Sequence, residues 1–506
     1  MTRTSNFSPH KLQVMMMAAM SGALITLSLS PLNWWPAGIL SIALYLSLLN
    51  NCSLQQAPWR GLLFGLGMFG SGVSWVYVSI HVHGYASAPL AALLTVIFCA
   101  GLALLQALCA WSYVRWVRPL PGGALLGLPA LWVLFEWLRS WLLTGFPWLY
   151  LGYAHVETPL AGWGPIIGVY GLSWICALTG CCLFLAWRDR GTLHCLSYVV
   201  IITALWAGGW QLKQIPWVTP VKGGVLSVAI YQPNIPQEQK WDPAWYQSIL
   251  RQYQNDTRPL FGNDIIVWPE AAIPNYYQRV DDFLDPIAER AAMSGTTLIS
   301  GVPYQNTENG AFYNGIVALG NGEGVYLKQR LVPFGEYVPM ENLLRGLIAF
   351  FDLPMSSFSP GPANQPLLNI GGYRIAPFIC YEVVYPDLVA GKASTADLLV
   401  TISNDSWFGN SIGPLQHLQM ARMRALENGR YMIRGTNNGV SAIINSRGQI
   451  TARTRQFVAT SLIGEVQIMQ GMTPHAGFGS MPVIAGCGMT LLLLALRPFF
   501  LRRRVS

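Results

Sequence analysis

Apolar runs of membrane-spanning length fill the two ends of this 506-residue chain and leave its middle clear. They lie near 13–30, 35–49, 61–80, 88–114, 123–145, 165–187 and 194–212, with a last one near 479–499. A bilayer-crossing helix needs about 20 mostly apolar residues, so seven spans are expected before the middle block and one after it, the second and seventh being short. Composition agrees, with charged residues at only 11%, against about 25% in soluble domains. The first run has a basic flank and could be read as a cleaved signal peptide. No small-x-small site follows it, however, and further spans come directly after.

Orientation follows from the loops. Those near 50–60, 115–122 and 188–193 carry arginines, while 31–35, 81–88 and 146–164 carry no lysine or arginine. The positive-inside rule then puts both termini in the cytoplasm and the middle block on the far side, which in a bacterium is the periplasm. The net charge of +8 has the same origin: eleven of the 31 basic residues sit at the termini and in those loops, leaving 20 against 23 acidic ones. No nucleic-acid partner is therefore expected. In the fifth run Glu136 and Arg139 share a helical face. They read either as an internal pair that fixes packing or as a headgroup or gating contact.

The block from 213 to 475 alternates strand-like and helix-like runs. Strands are expected near 225–231, 264–269, 296–302, 314–320, 373–380, 397–403, 440–445 and 461–468. Helices are expected over 243–254, 282–294 and 414–430, the last opened by Pro414. Asn445-Ser-Arg-Gly448 reads as a hairpin turn. A block of roughly 260 residues suits one domain with a substantial core.

Three positions there carry chemistry. Cys380 ends the β-prone run 373–379, and Glu382, Tyr385 and Pro386 discourage its continuation. It is the only cysteine between residues 213 and 474. The other eight (Cys52, Cys99, Cys109, Cys176, Cys181, Cys182, Cys195 and Cys487) sit in or beside the apolar ends without zinc or redox spacing, so neither a metal nor a cofactor is expected. An unpaired cysteine outside the cytoplasm suggests a reactive thiol, with a small core residue as the plain alternative. The strand Asp264-Ile-Ile-Val-Trp-Pro-Glu270 ends in a carboxylate where Pro269 stops the ladder. Lys328 stands in an apolar, extended context, with Glu336 eight residues on. Taken singly, a turn glutamate and a solvated lysine are the commoner readings.

Together, Glu270, Lys328 and Cys380 in this order at strand ends resemble the Glu-Lys-Cys triad of the nitrilase superfamily. Val267-Trp-Pro-Glu270, Leu331-Val-Pro-Phe-Gly-Glu-Tyr-Val338, Cys380-Tyr-Glu382 and Ser403-Asn-Asp-Ser-Trp-Phe-Gly409 narrow the resemblance to the apolipoprotein N-acyltransferases. Gln416-His-Leu-Gln-Met-Ala-Arg-Met-Arg-Ala-Leu-Glu427 and Thr436-Asn-Asn-Gly439 do the same, and the resemblance runs over essentially the whole chain. It implies a polytopic α-helical membrane domain plus an α/β nitrilase-like αββα sandwich. The division would be seven transmembrane helices over 1–212, a periplasmic catalytic domain over 213–475, and an eighth helix with a basic cytoplasmic tail over 476–506.

The reaction implied by the resemblance moves a fatty acyl chain from a glycerophospholipid, typically phosphatidylethanolamine, onto Cys380 as a thioester. The chain then passes to the α-amino group of the S-diacylglyceryl cysteine that begins an apolipoprotein, the last step of bacterial lipoprotein maturation. Partners would be the phospholipid donor, the apolipoprotein acceptor and the bilayer of the inner membrane, with the enzyme a monomer. Glu270 would be the general base, Lys328 the oxyanion stabiliser and Glu336 a second, orienting carboxylate. Tyr381 and Glu382 would shape the nucleophile turn. Trp241, Asn314 and Arg430 match positions the family uses around its site, with core contacts or helix capping as the plain reading.

The stretch Leu343-Leu-Arg-Gly-Leu-Ile-Ala-Phe-Phe351, with Leu353, Met355 and Phe358, is too apolar for a water-facing loop. It is expected to dip into the outer leaflet as a lid. Leu347, Phe350 and Phe351, together with Trp407 and Phe408, would guide substrate access; an amphipathic core helix is the alternative. Two other functions fit less well. A membrane-tethered nitrilase-type amidase would need no lipid access. A transporter or receptor would be expected to carry more intramembrane charge and paired helix repeats.

Overall fold

The computed structural model describes residues 9–307, 310–338 and 357–502. The chain divides into two compact units. One takes the chain up to Tyr77, Ala92–Ile215 and everything from Ser480 on, and the other takes Val78–Ala91 and Pro216–Gly479.

Helices follow the apolar runs. Among the described residues four segments are long and apolar enough to cross a membrane: His10–Ser28, Ala88–Val117, Pro159–Arg188 and Leu193–Leu212. Ala57–Gly72 and Val76–His83, bent by 61° at a short break, form a fifth if they count as one span. Pro36–Asn50 and Met481–Arg497 are apolar but shorter. The run near 123–145 is helical only as far as Arg139, because the chain reverses there: Leu143 has φ +50°, Gly145 has φ +90°, and the Phe146 N–H returns to the Arg139 carbonyl at 2.7 Å. Glu136 and Arg139 are both buried and fasten this returning loop. Glu136 Oε1 accepts from Trp132 Nε1 (2.9 Å) and the Leu151 N–H (3.0 Å). Arg139 donates to the Trp148 carbonyl at 2.8 Å, with its guanidinium over the Phe69 and Tyr150 rings. The two charges fix packing through separate partners.

The second unit is built on strands β1 (Val218–Gln232), β2 (Ile265–Val267), β3 (Thr297–Gln305), β4 (Phe312–Gly320), β5 (Gly322–Leu327), β6 (Leu368–Ile370), β7 (Tyr373–Ile379), β8 (Leu398–Ser403), β9 (Met432–Thr436), β10 (Ala442–Ile444), β11 (Ile450–Arg453) and β12 (Thr460–Gly471). Their hydrogen-bonded order is β11-β10-β9-β8-β7-β6-β5-β4-β3-β2-β1-β12. Parallel trios β1-β2-β3 and β7-β8-β9 form the centre of each half, and the flanking pairs are antiparallel.

Strand alternation explains the layering. Val228 and Ile230 of β1 enter a cluster shared with Val267 and Ile299 of their own half and with Ile379, Val400, Ile402 and Ile433 of the other, so the halves face each other. Ala229 and Tyr231 point the opposite way, into a cluster with Ile249 and Tyr253 of helix Tyr246–Thr257 and Leu284 and Ile287 of helix Asp281–Met293. Helices Pro386–Ala393 and Gly413–Asn428 pack with the β7–β9 half. The result is the αββα sandwich expected above. Each fully buried Ile or Val contributes roughly 1.5–3 kcal/mol, enough to define a rigid scaffold.

Four strands were not expected: β5, β6, β9 and β11. β9 escapes a periodicity reading because Arg434 and Gly435 interrupt its apolar run. The Asn445–Gly448 turn does join β10 to β11, with Gly448 at φ +73°. The apolar stretch containing Leu347, Phe350 and Phe351 lies outside the described residues.

Candidate active site

The ends of three strands, β2, β5 and β7, carry side chains to one place. β2 runs into Trp268, whose N–H bonds the Ile299 carbonyl (2.8 Å), and then into Pro269 and Glu270. Gly301 of β3 makes this close approach feasible, since a Cβ there would stand 2.6 Å from the Pro269 carbonyl oxygen and 2.7 Å from Glu270 Cα. Glu270 is buried. Its Oε1 accepts from Asn314 Nδ2 (2.7 Å) and faces Lys328 Nζ (3.4 Å); Oε2 accepts from the Asn404 N–H (2.8 Å). Its carbonyl accepts from the buried Lys240 Nζ at 2.8 Å.

Lys328 leaves the end of β5, held by its own N–H on the Asn314 carbonyl (2.8 Å) and by the Gly361 N–H on its carbonyl (2.7 Å). Its ammonium lies 2.9 Å from Glu336 Oε1 and 2.8 Å from Oε2, closer than to Glu270. The Asn314 amide bridges both carboxylates, reaching Glu336 Oε1 at 2.9 Å. Glu336 is itself pinned by the Val332 N–H (2.8 Å). Burial pulls the lysine pKa down, but Glu336, Glu270 and Cys380 more than offset that, so the pKa is raised and the side chain is a fixed ammonium.

Cys380 follows the buried end of β7 with φ +50°, a left-handed conformation that costs a non-glycine residue about 1–3 kcal/mol. Glu382 holds this turn. Its Oε2 accepts the Ile379 N–H (2.8 Å), while Oε1 accepts the Tyr326 hydroxyl (2.7 Å) and the N–H groups of Gln329 (2.7 Å) and Arg330 (3.2 Å). One buried carboxylate thus ties the Cys380 turn to the segment carrying Lys328. Burial pushes the Glu382 pKa up despite these donors. Cys380 keeps partial exposure. Burial raises its thiol pKa, Glu270 adds to this, and Lys328 opposes it. The resting sulfur is therefore a protonated thiol, which needs a base to become a nucleophile.

Other candidates separate. Trp241 directly follows Lys240 and is half-buried. Tyr381 is buried with its ring edge-on to Tyr385 at 5.3 Å. Trp407 meets His83 edge-on at 5.5 Å and accepts the Ser79 hydroxyl on its carbonyl (2.7 Å); Phe408 lies 6.1 Å from the His417 ring. Arg430 is not brought to the triad. Its hydrogen bonds go to the carbonyls of Ala396, Gly429 and Gly471, where it fastens the end of helix Gly413–Asn428. Lys240, Ser403, Asn404 and Asp405 adjoin the site without having been singled out. For the last three the signal was present in Ser403-Asn-Asp-Ser-Trp-Phe-Gly409, whose polar residues touch Glu270 and Cys380. Among the described residues no cluster of three or more His, Cys, Asp or Glu side chains is placed to hold a metal.

Residues 21–182 match the family described as apolipoprotein N-acyltransferase N-terminal domain, and residues 227–471 match carbon-nitrogen hydrolase. A protein of Pseudomonas syringae pv. tomato named apolipoprotein N-acyltransferase is 48% identical over 478 residues, covering 93% of this chain and 94% of its own. One of that name from Azotobacter vinelandii is 48% identical over 498 residues, covering 97% and 95%. One from Coxiella burnetii is 41% identical over 482 residues, covering 95% and 99%.

Proposed function

The chain belongs to the apolipoprotein N-acyltransferase family, and from that premise we propose that it transfers a fatty acyl chain from a glycerophospholipid, through a Cys380 thioester, to the α-amino group of an S-diacylglyceryl apolipoprotein. Phosphatidylethanolamine is the expected donor. The observation that carries the reading is the buried Glu270–Lys328–Glu336 arrangement beside the partly exposed, free Cys380.

In the first half-reaction Glu270 takes the thiol proton, and the thiolate attacks the ester carbonyl of the phospholipid. Lys328, fixed by two carboxylates, stabilises the oxyanion without having to reorganise. The intermediate collapses, the lysophospholipid oxygen leaves, and Glu270 returns the proton to it. In the second half the acceptor amine attacks the thioester, Glu270 removes a proton from the nitrogen, and the thiol is restored as the amide forms. Asn314 and Glu336 keep Glu270 and Lys328 in register, and Glu382 keeps the sulfur there.

We place the protein in the bacterial inner membrane as a monomer, with both termini cytoplasmic and the catalytic domain periplasmic, on the strength of the arginine alternation in its loops. The match of residues 21–182 to the acyltransferase N-terminal family favours transfer over a membrane-tethered amidase. The apolar stretch with Leu347, Phe350 and Phe351 is assigned to a lid that shields the thioester from water. Polar residues at those three positions should raise hydrolysis relative to transfer.

Intact-mass measurement after incubation with phospholipid alone tests the core of this reading. A gain of one fatty-acyl mass is expected, labile to hydroxylamine and absent from Cys380→Ala. Absence of any adduct on the wild-type chain would sink it.

A further inference from the structure

Behind Cys380 lies a buried polar cluster that the chemistry above does not use. His417 Nε2 is 3.1 Å from the Cys380 carbonyl oxygen. His417 Nδ1 is 3.1 Å from Arg434 Nη2 and 3.3 Å from Asp405 Oδ1, and Arg434 Nη2 also reaches Asp405 Oδ2 at 2.8 Å. The Ser403 hydroxyl lies 2.6 Å from Asp405 Oδ1 and 3.3 Å from Cys380 Sγ. Ser403, Asp405, His417 and Arg434 are each at most 1% exposed.

Donor and acceptor chemistry fixes the proton that faces Cys380. A carbonyl only accepts, so Nε2 carries the imidazole proton and donates it to Cys380. Nδ1 lies between a guanidinium that only donates and an Asp405 oxygen that only accepts; the Arg434 contact is the shorter, and Ser403 already donates to that oxygen at 2.6 Å, so the lone pair is assigned to Nδ1. The neutral Nε2–H tautomer meets the Cys380 and Arg434 contacts. Burial and the neighbouring Arg434 hold the imidazole pKa below its usual range, in agreement with a neutral ring. Asp405 balances Arg434 and keeps its charge: burial pushes its pKa up, but the guanidinium and the Ser403 hydroxyl lower it further.

We infer that His417 is a positioning residue for the nucleophile: its Nε2–H holds the carbonyl of the left-handed Cys380, with the Arg434–Asp405 pair fixing the ring from behind. The inference rests on the reading of Cys380 as the acylated residue. The backbone at Cys380 stays in an unfavourable conformation only because neighbours over-determine it. Glu382 grips the N–H before the cysteine, and His417 grips the carbonyl after it. Release of either grip lets the sulfur drift from Glu270 and Lys328, and a displacement of about 1 Å costs up to about 10²-fold in rate.

Two amides separate this role from simple packing. In His417→Gln the side-chain NH₂ falls where Nε2 stood and can still reach the Cys380 carbonyl. In His417→Asn it falls where Nδ1 stood and cannot. Full-length enzyme in detergent is mixed with phosphatidylethanolamine, and the Cys380 acyl adduct is followed by mass in a single turnover. The Asn variant should form it at least about tenfold more slowly, with the half-saturating lipid concentration unchanged, and the Gln variant should stay within about threefold of wild type. Equal rates for the two amides, or a loss expressed in lipid affinity alone, would overturn the assignment. If one variant fails to fold, shown by loss of its cooperative melt, His417→Ala replaces it and must show the same rate-only loss against wild type. If the wild-type chain forms no adduct, the fault lies in the nucleophile reading and not in His417.

Discussion

At the scale of single residues the site is a problem in charge. Two carboxylates, Glu270 and Glu336, share one ammonium and one amide. Without Lys328 they would face each other across Asn314 with no cation between them, and like charges so placed repel. Lys328→Met therefore removes the proposed oxyanion stabiliser and disturbs the proposed base together. Cys380 acylation should fall by at least about 10³-fold, read as single-turnover adduct formation. Glu336→Gln keeps the shape and leaves Lys328 its contact with Glu270, so a smaller loss of about 10- to 100-fold is expected. Equal losses in the two variants would refute this division of labour.

At the scale of elements, the site depends on how closely strand ends approach. Gly301 of β3 lies against backbone atoms of Pro269 and Glu270, and these cannot rotate away as a side chain would. Gly301→Ala should push the Glu270 segment aside, slowing acylation by at least about tenfold while destabilising the unit by only about 1–3 kcal/mol. Wild-type acylation in that variant would show that Glu270 tolerates displacement. Helix Gly413–Asn428 and the short helix Pro474–Phe478 supply a second expectation through His417 and His475. Burial lowers both pKa values, with Arg434 and Arg424 as the next causes, and His475 falls to about 3. Below about pH 6.5 the unfolded chain binds protons that the folded chain does not. Stability is therefore lost as pH falls through that value, at about 1.4 kcal/mol per pH unit for each histidine. Asp405, whose pKa is lowered, contributes only below its unfolded value near 3.9 and does not shape this window. Melting followed by tryptophan fluorescence should show a lower midpoint at pH 5 than at pH 7.5; a flat profile would mean the histidines are charged in the fold.

At the scale of the whole molecule, the lipid substrate requires a membrane-bound catalyst, and the orientation proposed rests on arginine counts. A reporter that folds only in the periplasm should be active when fused after residue 222 and silent when fused after residue 190. The reverse pattern would place the catalytic domain in the cytoplasm and end the proposed route from an outer-leaflet lipid.

Hydropathy and strand patterning were legible because they are local: the apolar helices and eight of the strands depend on side chains close in sequence, whereas the sandwich class and the choice of Glu270, Lys328 and Cys380 came from the family resemblance. Even there, local signals could not see where a helix must turn back, as at Arg139, since Glu136 and Arg139 find their partners in the returning loop. Nor could they find β9, whose Arg434 is tolerable in a buried strand only because Asp405 lies opposite it. Arg430 was assigned to the site on a motif match, yet its carbonyl partners lie elsewhere. The chain's residue order alone placed Glu270 and Cys380 at strand ends and Lys328 in an extended run, and only the resemblance of the three together marked them as a candidate triad. Folding decided which of them meet, because a pKa and a hydrogen bond depend on neighbours in space: Asn314 between two glutamates, Glu382 across the nucleophile turn, and His417 on the cysteine carbonyl.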